Sequence, residues 1–181
     1  MAVLIILMGL AFPAFTSVQT SARKTQAKND LVQIVTAASA FYTEYGKYPT
    51  AAADDPAAKV GPGGTGPTTS LFNALRGLDA ATNPRQIVFM SPPEAKDQSS
   101  PRSGIKTSDG QLFDPWGVVY AIDMDANYNN EIPNPYTADT GAGSANIRQG
   151  VIAWSLGKNG PLGGSGAKSS ANSNDDIISW Q

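Results

Sequence analysis

The chemistry open to this 181-residue chain is that of oxygen donors, because it contains no cysteine and no histidine. That absence excludes serine-histidine-aspartate and cysteine-histidine nucleophiles, and the nitrogen and sulfur sites that zinc prefers. Two stretches carry enough oxygen to hold a hard cation. The first is the tail, "WSLGKNGPLGGSGAKSSANSNDDIISW", residues 154–180. Here Asp175, Asp176 and Asn159 supply side-chain oxygens, and the glycine-rich backbone around Leu156 can turn its carbonyls inward. Calcium takes about six to eight oxygen ligands and accepts backbone carbonyls, which suits such a loop. The other reading is a solvated loop whose aspartates cap the turn or strand that follows.

The second stretch is "DMDANYNNE", with Asp123, Asp125, Asn127, Asn129 and Glu131 at alternate positions. An EF-hand loop needs glycine at its sixth position and a bidentate glutamate at its twelfth, whereas Tyr128 and Asn134 stand there. A polar turn between strands, with asparagines in left-handed conformations, explains it better. Asp54-Asp55 has no flanking pattern that would build a pocket or shift a pKa for acid-base work. Trp116, Trp154 and Trp180 could form a sugar platform, but two of them lie in or beside predicted strands, which favours core packing. No active site is expected. The net charge of -2 and the lack of a basic stripe with interleaved aromatics speak against nucleic-acid binding.

The elements that must position these residues begin with "MAVLIILMGLAFPAF", residues 1–15, which carry no charge. As helix this run spans ~22 Å, too short to cross a ~30 Å hydrocarbon core alone. It lacks the basic opening and small-residue cleavage site of a secretory signal. Apolar on every face and followed abruptly by polar residues, it favours lipid over a protein core. From Thr16 the pattern becomes amphipathic. Leu31, Val35, Ala38, Tyr42 and Tyr45 recur at three- and four-residue steps, widened by Ile34 and Phe41, so one face packs on a domain. Gly46 and Pro49 end the helix, and Pro13 inside it removes one backbone hydrogen bond and bends the rod.

Beyond it, residues 51–70 read as a proline- and glycine-rich surface loop, and "SLFNALRGL" as a short helix capped by Ser70. "RQIVFM", residues 85–90, reads as a short strand. Asp114-Pro115-Trp116-Gly117 is a turn signal, followed by the strands "VVYAID" (118–123) and "VIAWSL" (151–156). The predicted class is α+β: a long N-terminal helix, hydrophobic and then amphipathic, packed on a small antiparallel sheet with long irregular loops.

The run "GLAFPAF" leading into a helix that ends "FYTEYGKYPT" resembles the N-terminal spine of the type IV pilin and type II secretion pseudopilin superfamily. The turn and strand "DPWGVVYAI", and "WSLGKNG" before "NDDIISW", resemble the major pseudopilin of the type II system; residues 50–110 carry little of the likeness. In that family a basic leader is removed by a prepilin peptidase just before a phenylalanine, with a glutamate a few residues on. Neither feature is in this sequence, so the alignment on Pro13 implies that Met1 falls inside the mature segment, and about nine further apolar residues would complete a membrane span. Arg23, Lys24 and Lys28 after the apolar run pull the other way, toward a cytoplasmic head.

What the resemblance implies is a structural subunit with a pilin-like fold. Residues 1–15 would be the membrane and fibre-core helix, 16–48 the amphipathic helix, and 49–181 a head with a variable loop 51–70, a sheet region about 85–156 and a C-terminal loop 157–181. The subunit would sit in the inner membrane with its head in the periplasm, then assemble with copies of itself, minor pseudopilins and an inner-membrane platform into a helical fibre that drives export. Calcium would hold the C-terminal loop. Asp175 and Asp176 match the family's paired acids, Ser155 and Leu156 the start of the loop, and Asn159 stands where an aspartate is common. That replacement, with a longer insert at 160–174, implies a weaker site. The absence of cysteine favours a secretion pseudopilin over a type IV pilus pilin, many of which close this region with a disulfide. A membrane-anchored ligand-binding module is the reading from a different class.

Overall fold

The computed structural model describes residues 2–136, 141–159 and 175–181, with residues 2–15 as backbone alone. A single helix, α1 (Ala2–Tyr45), runs through Pro13 and stops where the Gly46 amide donates to the Tyr42 carbonyl. Among the described residues two short helices follow, α2 (Asp55–Ala58) and α3 (Thr69–Leu75), then seven short strands: β1 (Gly104–Ile105), β2 (Leu112–Phe113), β3 (Ala121–Met124), β4 (Ile132–Pro133), β5 (Asn146–Ile147), β6 (Val151–Ser155) and β7 (Ile177–Ile178). All pairs are antiparallel, in three small sheets: β1-β2, β4-β5 and the central β3-β6-β7. The α+β class therefore holds. Among the described residues no helix is long and apolar enough to cross a membrane.

The central sheet is buried on both faces, which explains why its strands read as nearly continuous apolar runs. Side chains alternate across a strand, so Ile122, Met124, Val151 and Ala153 join Leu31, Ile34, Ala38 and Phe41 of α1 in one cluster. From the other face Ala121, Ile152 and Trp154 join Ile132, Tyr136, Leu156 and Ile178 in a second. The buried stripe of α1 is Ala27, Leu31, Ile34, Ala37, Ala38 and Phe41; Tyr42, expected on it, is exposed, and Val35 and Tyr45 lie at its border. Asp30, on the flank, accepts a hydrogen bond from the buried Tyr120 hydroxyl at 2.7 Å and so ties the helix to the sheet region.

Three local expectations are corrected. Residues 85–90 are not a strand: the Phe89 and Met90 amides donate to the Leu75 carbonyl at the end of α3, and Gln86 has φ 50, which interrupts any extended run. Buried Asn83 holds this arrangement, donating to Ala74 and Ile87 and accepting from Ile87 N–H and the Tyr45 hydroxyl. The run 118–123 is divided, because Val118 and Tyr120 bond back to Asp114 and Leu112, and only from Ala121 does the chain pair with β6. Finally, α3 begins at Thr69, so Ser70 lies inside it rather than at its cap. The stretch 51–70 is also more ordered than a connector: Asp54 caps α2, and Val60 exchanges two backbone hydrogen bonds with Ile122 at the edge of β3.

Candidate functional site

The tail returns to the sheet as β7, with Trp154 opposite Ile178 and Ser155 opposite Ile177. Trp180 continues the docking: its indole N–H donates to the Ala142 carbonyl at 2.7 Å, and its ring meets that of Trp154 edge to face. From the other side the Lys28 ammonium of α1 donates to the Ile178 carbonyl at 2.7 Å and to the Gln181 carbonyl. Two apolar side chains, an indole hydrogen bond and a lysine clamp thus hold the last residues.

Between β6 and the aspartates lies a turn whose hydrogen bonds converge on Asp175. One carboxylate oxygen accepts the Lys158 amide at 2.8 Å and the other accepts Nδ2 of Asn159 at 3.1 Å. Gly157, at φ 63, makes the approach possible: a Cβ there would stand 2.7 Å from the Asp175 carbonyl oxygen and 2.9 Å from its carboxylate, closer than any side chain tolerates. Asn159 and Asp175 are therefore brought together, on the turn that follows Leu156. The Leu156 side chain is buried in the second core cluster. Asp176 is buried and its Oδ2 accepts the Tyr136 hydroxyl at 2.7 Å, so the two neighbouring carboxylates face different partners. Burial, and then Asp176 itself, push the Tyr136 hydroxyl well above its ordinary range.

The donor set is oxygen only, which suits a hard divalent cation such as calcium. Among the described residues no group of three or more acidic side chains gathers, so carbonyls, the Asn159 amide and water would have to supply most ligands. The insert 160–174 lies outside the described residues. No family model, curated protein or solved structure matches this chain.

Asp114 anchors the site from beneath. Its Oδ1 accepts the amides of Trp116, Gly117 and Val118 at 2.8–2.9 Å, closing the turn read from the sequence. Its Oδ2 accepts the Ser155 hydroxyl at 2.6 Å, and that hydroxyl in turn accepts the Gly157 amide. The turn signal was legible, but nothing local indicated that its aspartate reaches a serine 41 residues later. Tyr136 and Lys28 were likewise missed, having no motif to mark them.

The second acidic stretch is a polar turn, as expected. Asp125 accepts the amides of Asn129 and Asn130, while Asp55 accepts those of Ala126 and Asn127 and the Asn127 side chain. Left-handed conformations fall at Asn130 and, unexpectedly, at Tyr128. Asp54 and Asp55 are thus both engaged in holding backbone. Asp123 is buried with one oxygen on the Met124 amide. Burial pushes its carboxyl up to about 7, against the Met124 hydrogen bond and the Lys59 charge; Asp55 adds to the rise.

Proposed function

We propose that this chain is a structural subunit of a periplasmic pseudopilus, a pilin-like protein that assembles through its N-terminal helix and serves protein export by type II secretion. One observation carries this reading: α1 is far longer than its contact with the head. It has 44 residues, about 66 Å of rod, yet its first buried side chain among the described ones is Ala27, and residues 16–26 contain none. Val18, in that stretch, is 67% exposed. The preceding residues are apolar by sequence, and such a surface is stable in lipid or against other helices rather than in water. A rod that is compatible with both, carrying a rigid head, is what a membrane-stored fibre subunit requires. Such an assembly needs no active site. Its partners would be copies of itself, minor pseudopilins, the inner-membrane platform and, for a precursor, the prepilin peptidase.

In a host carrying the secretion machinery, Val18→Arg is expected to abolish fibres seen by electron microscopy and export, while the melting temperature of the protein stays within about 2 °C, as for an exposed substitution. Replacing residues 2–15 with an unrelated apolar helix of equal length should have the same effect. Retention of full function by that chimera would support a membrane-anchored binding module and refute the fibre reading.

In this reading calcium orders the tail through Asp175, Asn159 and carbonyls near Leu156, while Asp176, whose Oδ2 accepts the Tyr136 hydroxyl, braces the loop beside them. A chelator is then expected to lower the melting temperature by about 5 °C, with calcium restoring it, since a ligand at about 100 times its Kd stabilises by ~2.7 kcal/mol. Asp175→Asn should abolish the response. An unchanged melting curve with chelator and with calcium would remove the metal from the proposal.

A further inference from the structure

Three tyrosines that no part of the fibre reading uses come together where α1 ends. Tyr42 on the last turn of the helix stacks on Tyr48 with ring centres 4.8 Å apart. Tyr48 in turn lies nearly parallel to Tyr128, 6.0 Å away and 12° from coplanar, and Tyr42 and Tyr128 are 6.2 Å apart. Tyr48 is 9% exposed and forms the floor; Tyr42 and Tyr128 are 39% and 49% exposed. Core packing does not account for two large rings left open to water.

The backbone is shaped to present one of them. Tyr128 has φ 59, a conformation that is unfavourable for a bulky side chain and persists only where its surroundings enforce it. Here Asp125 accepts the two following amides, at 3.0 and 2.8 Å, and Asn127 accepts the Asn129 amide as well. The next residues open onto a cavity of about 320 Å³ lined by Asn129, Asn130, Glu131, Arg148, Gln149 and Gly150. Gly150 joins the cavity to the rings, because a Cβ at that position would overlap the Tyr48 hydroxyl. The two charges in the lining compensate each other: Arg148 Nε lies 3.5 Å from Glu131, whose other oxygen accepts from Asn146. What remains is a set of planar amides without net charge next to a cluster of three tyrosines, two of them partly exposed.

That combination fits one ligand chemistry. A pyranose ring has an apolar face of C–H groups that stacks on an aromatic ring, and an edge of hydroxyls that both donate and accept, which amide side chains match. We infer that Tyr42, Tyr48, Tyr128 and the adjoining cavity form a binding site for a neutral carbohydrate, taken as a unit of an oligosaccharide chain. An ionic ligand is disfavoured because the lining offers no uncompensated charge. The inference does not depend on how α1 assembles.

The test uses the full chain in a detergent that carries no sugar, titrated by calorimetry with maltohexaose, cellohexaose and hexa-N-acetylchitohexaose. At least one should bind with Kd below about 1 mM. Tyr128→Gly separates recognition from folding, since glycine accepts the positive φ: the melting temperature should hold or rise while affinity falls at least about tenfold. Tyr128→Phe should stay within about twofold, because the ring face is retained. Absence of binding by all three saccharides at about 10 mM would overturn the assignment. So would saccharide binding that Tyr128→Gly leaves unchanged, or a proline-rich peptide occupying the tyrosines while the saccharides do not.

Discussion

Replacing Asp114 with alanine is expected to destabilise the protein by about 3 to 5 kcal/mol, lowering its melting temperature by roughly 10 °C or more. The carboxylate is fully buried and accepts four hydrogen bonds, three from successive amides of its own turn and one from Ser155. Alanine takes this acceptor from the Trp116 and Val118 amides and the Ser155 hydroxyl, while the Gly117 amide keeps the residue 114 carbonyl, and each buried group so stranded costs about 1 to 3 kcal/mol, less whatever water recovers. The loss should also reach the tail. Ser155 Oγ is oriented by Asp114 and holds the Gly157 amide, so hydrogen exchange at Gly157 and Lys158 should accelerate more than at β3. Asp114→Asn keeps the oxygen that serves the turn and should cost about 1 kcal/mol. An alanine variant within about 1 kcal/mol of the parent would show that the turn holds without this anchor.

The second large effect is on the pH dependence of stability. Asp123 is shifted up to about 7 by burial, whereas an unfolded aspartate titrates near 3.9. Between these values the folded chain keeps a proton that the unfolded chain has released, so stability falls as the pH rises across that window and levels off above it. Asp123→Asn is neutral at every pH. It should stabilise the protein by about 4 kcal/mol at pH 8, and the gain over the parent should shrink toward zero near pH 4. The comparison with the parent matters, because burial also raises Asp30 and Asp114, which act in the same direction. Asp79 and Asp97, held low by Thr82 and Ser99, titrate below the window. Parallel stability curves for the two proteins from pH 5 to about 8 would refute the shift.

The sharpest contrast with the expected fold is at residues 85–90. β-branched and aromatic content signals a strand only when a neighbouring strand has free donors and acceptors. Here the donors are taken by the Leu75 carbonyl, and Asn83 binds α1, α3 and this segment together. The metal-ligand expectation was legible in residue type, since adjacent aspartates stand out in a glycine- and serine-rich loop. Which way each carboxylate faces was not, because that depends on Tyr136 and on the turn at Gly157.

By itself the sequence determined the class of fold, where its long helix stops and the position of the strand at 151–155, because hydrophobic period and turn chemistry are local properties of the chain. It also determined which catalytic chemistries are impossible, since absent residue types cannot be supplied by folding. Only the tertiary structure decided that Asp114 supports the tail, that Asp175 and Asp176 face apart, and that Tyr42, Tyr48 and Tyr128 share one surface. Those relations join residues far apart in the chain, and the physical reason is that packing, rather than spacing, sets which groups are within hydrogen-bonding or stacking distance.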